Sequence, residues 1–206
     1  MIKKSLIFLS LINIVFFPGC NRKTAEIPLP LSETEIQEAI EYGIKNAELS
    51  TTEFVSDWSV DLGYGEGKGK ATLITPFLKV AFLAKQAQIQ GQKVKRDIIE
   101  KVLKEDSDCL VFDILLFGGY PQFGRTVEFS LKYDGKEIQP VYKFIPPYAE
   151  ISRDYTQSVK GNVKFKKTDI PKNCIVVLKA QFNMSEEPEV KEKYTCEFEF
   201  ALNKYR

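Results

Sequence analysis

The strongest constraint on the fold is a change of period. Between residues 32 and 105 apolar side chains recur at helical spacing, and from Cys109 onward they recur at every second position. Ile36, Ala39, Ile40 and Ala47 form one stripe, with Glu33, Glu38, Glu41 and Lys45 outside it. Ser32 precedes that stripe and Glu35 stands at capping-box distance, while Leu31 and Ile36 can staple the entry. This helix is expected to end near Leu49. Thr75 followed by Pro76 opens a second helix, reaching Gln90, with Phe77, Val80, Ala81, Ala84 and Ala87 inward and Gly91 as its stop. A third is expected from about Lys95 to Glu105, around Ile98, Ile99, Val102 and Leu103.

The second half reads as strands. Trp58, Val60, Leu62 and Tyr64 already suggest a short one. "CLVFDILLF" from Cys109 is a continuous apolar run and therefore a central strand. "RTVEFSLKY" sets Val127, Phe129, Leu131 and Tyr133 against Thr126, Glu128, Ser130 and Lys132. Asp134-Gly135 signals a tight turn, after which "KEIQPVYKFI" returns. "GNVKFKK", "NCIVVLKAQF" and "YTCEFEFAL" supply three more strands, and no helical crossover intervenes. In the first of these, Lys164 and Lys166 oppose Val163 and Phe165, as in an edge strand protected by lysines; a basic face toward anionic lipid or polysaccharide is the alternative. The expected fold class is α+β, with about three N-terminal helices packed on an antiparallel β-sheet or sandwich of six or more strands.

Several kinds of chemistry are missing. The 206 residues include no histidine, which removes Ser-His-Asp and Cys-His nucleophilic sites and histidine zinc sites. The four cysteines have no C-x-x-C spacing. Gly63, Gly65, Gly67 and Gly69 do not make a phosphate loop: Tyr64 and Ala71 stand where a Walker loop needs glycine and a hydroxyl, and Lys68 stands where a dinucleotide fingerprint needs its third glycine. A hairpin loop is the expected reading. No cofactor and no metal is expected. Catalysis by paired carboxylates stays open, because it has no sequence signature.

The N-terminus carries an address. Lys3 and Lys4 precede an apolar run from Leu6 to Phe17, broken only by Ser10 and Asn13, and Pro18-Gly19-Cys20 follows. The run is shorter than the roughly 20 residues a spanning helix needs. These residues resemble a bacterial lipoprotein precursor over the first 20 positions. In that family leucine is usual where Phe17 stands, and alanine or serine where Pro18 stands. The resemblance implies cleavage before Cys20 and lipidation of its thiol, which would hold the protein to the bilayer on the extracytoplasmic face of the inner or the outer membrane. Residues 1–19 are then the signal peptide and 20–31 the lipidated cysteine with a linker stiffened by Pro28 and Pro30. Residues 32–206 form one α+β domain. Losing Lys3 and Lys4 leaves 27 basic against 28 acidic side chains, a balance that gives no reason to expect nucleic acid as a partner.

Two loops stand out for recognition. "FGGYPQFGR" offers Tyr120, Phe123 and Arg125, and "IPPYAEISRDY" offers Tyr148, Arg153 and Tyr155 on a segment stiffened by Pro146-Pro147. The competing reading packs these aromatics onto the ends of the sheet. Cys174 and Cys196 lie on the apolar faces of successive strands and can form a disulfide only if their hairpin is centred on Ser185; buried free thiols are the alternative. The expected function is a non-catalytic envelope binding module for a protein or glycan partner. The alternatives are an envelope hydrolase using carboxylates and an assembly factor of a secretion or pilus machine.

Overall fold

A computed structural model describes residues 30–168, 170, 171, 173–187, 189 and 191–205. Cys20, the segment 1–19 and most of the linker lie outside the described residues. The chain is α+β, as expected. Four helices come first in outline: α1 (Glu33–Lys45), the short α2 (Thr51–Phe54), α3 (Pro76–Ile89) and α4 (Arg96–Lys104). Among them run β1 (Ser59–Asp61) and β2 (Gly69–Leu73), joined by the glycine-rich hairpin loop. Then come β3 (Cys109–Gly118), β4 (Glu128–Tyr133), β5 (Lys136–Ile138), β6 (Tyr142–Phe144), β7 (Glu150–Ile151), β8 (Gln157–Lys166), β9 (Ile175–Asn183) and β10 (Lys193–Ala201). One antiparallel sheet has the order β1-β2-β3-β8-β6, with β7 also paired to β8, and the other has the order β10-β9-β4-β5.

The helix starts are local chemistry. The Ser32 hydroxyl accepts from the Glu35 amide, and the Glu35 carboxylate takes the Ser32 amide at 2.7 Å, closing the capping box. Ser50 and Glu53 repeat the device and start α2, a short helix that the periodicity did not reveal. Thr75 caps α3 through the Leu78 amide at 3.1 Å. Gly43 lets α1 lie against α3: a Cβ there would sit 2.7 Å from Ala84 Cβ and closer still to the Ala81 carbonyl.

The two sheets face each other across one core. Period-two alternation sends Phe112, Ile114 and Leu116 of β3 and Val163 and Phe165 of β8 inward, against Phe129, Leu178, Phe198 and Phe200. Phe112 and Phe200 meet across the sandwich at 5.1 Å. The helices build a second core around Ile36, Phe54, Trp58, Phe77, Leu78, Ile99 and Leu103, in which Tyr42 meets the edges of Phe54 and Trp58. Their apolar faces are thus buried chiefly against one another, where the sequence suggested packing on a sheet. Tyr205 touches both cores.

Two strand assignments are corrected. "KEIQPVYKFI" is not one strand: β5 pairs with β4, the chain crosses at Pro140, and β6 pairs with β8 in the other sheet. Proline supplies no ladder donor at the point of switching. The lysine-rich strand β8 is interior, between β3 and the β6 and β7 strands. Its lysines are accommodated on the outer face by carboxylates, Lys164 by Asp106 at 2.8 Å and Lys166 by Asp108.

The sandwich has two distinct ends. At one, β2 ends and β3 begins; there Pro30 and Leu31 line a cavity of about 420 Å³ with Cys109, Leu110, Leu202 and Tyr205. At the other, β3 ends opposite the start of β8. The ten residues of β3 separate the two ends by about 33 Å.

Candidate functional site

Among the described residues, six of the thirteen exposed large apolar side chains fall between Val141 and Tyr155, so this stretch holds the main concentration of uncovered apolar surface. It runs along the β6–β7 edge of the larger sheet. Tyr142 and Phe144 pair with Lys164 and Asn162 of β8 and so share their outer face. The Lys164 ammonium lies over the Tyr142 ring at 5.0 Å while bonded to Asp106. Lys143 points to the opposite side and donates to the Val127 carbonyl at 2.8 Å.

Tyr148 is presented by a close backbone approach. Gly124, in the short 3-10 turn Phe123–Thr126, has no room for a Cβ beside the Pro146 carbonyl, and the Ala149 amide donates to Pro121 at 2.7 Å. Arg125, in the same turn, donates from Nη2 to the Tyr148 hydroxyl at 2.6 Å and lies over its ring at 4.9 Å. Tyrosine and arginine are both exposed, and the pair is held before any partner arrives.

The β7–β8 turn carries the rest. Ser152 donates its amide to the Thr156 carbonyl at 2.9 Å, and Tyr155 donates to the Ser152 carbonyl at 3.0 Å. Tyr155 sits at φ 63°, in the left-handed region that costs an L-residue about 1–2 kcal/mol, with 86 % of its surface exposed. Asp154 holds the turn: its carboxylate accepts from the Ser152 hydroxyl, from the Tyr64 hydroxyl of the β1–β2 loop and from the Thr156 amide at 3.3 Å. Those bonds hold its carboxyl well below the usual carboxylate range. Tyr64 in turn meets the edge of Phe117 at 4.7 Å, which adds a further exposed aromatic from a loop distant in sequence. Arg153 is exposed in the same turn.

The other residues singled out from the sequence are placed differently. Tyr120 and Phe123 are core residues: Phe123 is fully buried against Phe182 at 5.2 Å, and Tyr120 sends its hydroxyl to Thr126 at 3.3 Å. They are removed from the recognition surface because the 3-10 turn folds them under the sandwich. Cys109, Cys174 and Cys196 are free thiols. The β9–β10 hairpin pairs Lys193 with Asn183 and sets Cys196 opposite Ala180, six residues along the chain from the Cys174 position a bridge requires. The bridged register would have set Glu192 against the buried Leu178, whereas the observed one gives Leu178 the partner Phe198. Val141, Tyr142, Phe144, Ile151 and Tyr64 were not anticipated at the site; "VYKF" reads as an ordinary strand until its change of sheet is known. Among the described residues there is no group of three or more His, Cys, Asp or Glu side chains placed to hold a metal, and no helix long and apolar enough to cross a membrane. No known family matches the chain, and no curated protein is detectably similar to it.

Proposed function

We propose that this protein is a lipid-anchored, non-catalytic binding module of the bacterial envelope that engages a protein or glycan partner through the Val141–Tyr155 edge and Arg125. The observation that carries the reading is the concentration of exposed apolar side chains along one sheet edge, together with a strained, outward-facing Tyr155. Recognition runs through side chains and not through strand addition. β6 has three residues and β7 two, and Pro146 and Pro147 between them have no amide to offer a new strand. Arg125 and Tyr148 hold each other through a hydrogen bond and a ring contact, and the Tyr155 backbone is fixed in its turn, so part of the ordering entropy is lost before binding.

Anchoring at Cys20 suits this geometry. The chain enters the described fold at Pro30, at the end where β3 begins, and Tyr155 lies near the opposite end, about 33 Å away along β3. A tether at Cys20 would leave the β7–β8 turn directed away from the bilayer. Two measurements test the reading. Intact mass of the membrane-extracted protein should show loss of residues 1–19 and a lipid adduct; a mature chain beginning at Met1 overturns the anchor. Co-purification from detergent-solubilised membranes should yield a partner that a Tyr148→Ala, Tyr155→Ala variant no longer retains. Full retention by the folded double variant rejects this edge as the site.

A further inference from the structure

The crossover from β5 to β6 has a consequence on the far side of the aromatic edge. It walls a groove of about 290 Å³ against the outer face of β4 and β9, near the lower end of small-molecule sites. Ladder pairing lays out the floor: Glu128 lies opposite Gln181, and Ser130 opposite Lys179. Glu137 reaches in from β5, Lys143 from β6, and Gln139 and Pro140 from the crossover itself.

Most of these groups are oriented by one bond and keep further capacity. Glu128 accepts from Lys193 Nζ at 2.9 Å, Glu137 accepts from the Ser130 hydroxyl, and Lys143 donates to the Val127 carbonyl at 2.8 Å. Gln181 donates to Thr195 at 3.1 Å and retains its amide oxygen. An ammonium has three donors and a carboxylate about four acceptor positions, so each fixed group can still serve a ligand. Lys179 is the telling case. Its cross-strand neighbour on β10 is Glu197, the natural partner on a solvated sheet face, yet Glu197 takes Lys132 at 3.1 Å instead. Among the described residues Lys179 and Gln139, both lining the groove, have no side-chain hydrogen-bond partner.

The lining carries two carboxylates and two ammonium groups, so it offers no net attraction to an ion of either sign. It offers donors and acceptors side by side, with the Pro140 ring as an apolar wall. A ring bearing several hydroxyls, each both donor and acceptor, matches that set. We propose that this groove binds a neutral sugar residue, either free or as the terminal unit of a glycan. The inference stands apart from the aromatic edge, since Lys143 points away from Tyr142 and Phe144 across the β6 backbone.

Ligand-observed NMR on the detergent-extracted protein tests it, with glucose, galactose and N-acetylglucosamine as neutral probes and glucuronate and glycine as charged ones. At least one neutral sugar should bind saturably, with affinity of about 1 mM or better. Lys179→Ala and Glu137→Gln should each weaken it about tenfold, the loss of one charge-assisted bond. Both positions are outside the core, and an unchanged denaturation midpoint verifies folding. The Tyr148→Ala, Tyr155→Ala variant should bind the sugar normally, which separates this site from the edge. A disaccharide binding tighter than its monosaccharide identifies a glycan terminus, and equal affinity a free sugar; either supports the site. No saturable binding of any neutral probe, binding indifferent to both groove variants, or tighter binding of a charged probe overturns it.

Discussion

Lys85 is the side chain whose removal should be felt most. It lies on α3 with 4 % of its surface exposed, in a helix otherwise buried through phenylalanine, leucine, valine and alanine. Its ammonium donates to the carbonyls of Asn46 at 3.3 Å, Ala47 at 2.6 Å and Leu49, just past the end of α1, and lies over the Phe54 ring at 5.0 Å. These carbonyls lie in the turn just after α1, where cations are favoured, and the Asn46 carbonyl also accepts from the Leu49 amide at 3.2 Å. Lys85→Met keeps the length and apolar stem and deletes the charge. The buried Ala47 carbonyl would then lose its partner at a cost of about 1–3 kcal/mol. Water can take over part of the bonding at Asn46 and Leu49, which are less buried. Loss of the cation–π contact adds about 0.5–2 kcal/mol, and removing the desolvation cost of the ammonium offsets some of the total. The expected net destabilisation is about 2–4 kcal/mol, a fall in Tm of roughly 10 °C for a domain of this size. Urea denaturation should show a lower midpoint with an unchanged slope. The opposing argument is that a buried charge is a net burden that methionine relieves. A variant with a midpoint equal to or above that of the wild type would establish that argument and refute the capping role.

Two further predictions concern strain and pH. Tyr155→Gly should raise stability by about 1 kcal/mol, because glycine adopts a φ of 63° freely and the exposed ring contributes little burial, while partner retention is lost; a destabilised variant would remove strain from the account. Burial pushes the Cys196 thiol from its usual 9.0 up to about 11, so the fold favours the neutral thiol. Its contribution is complete below pH 9 and is lost as pH rises through about 11, by about 3 kcal/mol at most. The stability difference between wild type and Cys196→Ala should therefore shift against the wild type between those pH values, and a difference independent of pH contradicts the burial argument.

What could be read from the sequence was settled within a few residues. The Ser32 and Thr75 caps, the Pro76 start and the alternation of β4 each depend on neighbours one to four positions away, and all are where the spacing put them. Whether Tyr148 and Tyr155 pack onto the sheet or stand exposed was left open by the sequence; both are exposed, as is Arg153. Tertiary structure decided whatever depended on which strand lies beside which. Alternation tells that β8 has two faces, but only its pairing with β3 and β6 makes it interior. Equal patterning in "NCIVVLKAQF" and "YTCEFEFAL" permits several registers; the one observed is selected by Phe198 packing on Leu178, and it separates the two cysteines. The change of sheet at Pro140 turns Tyr142 and Phe144 outward and Lys143 back toward β4, creating both the aromatic edge and the polar groove. Arg125 meets Tyr148 across 23 residues, and Asp154 meets Tyr64 across 90. Such contacts form only once strands distant in sequence are paired, because the side chains that make them are not neighbours until the sheet assembles.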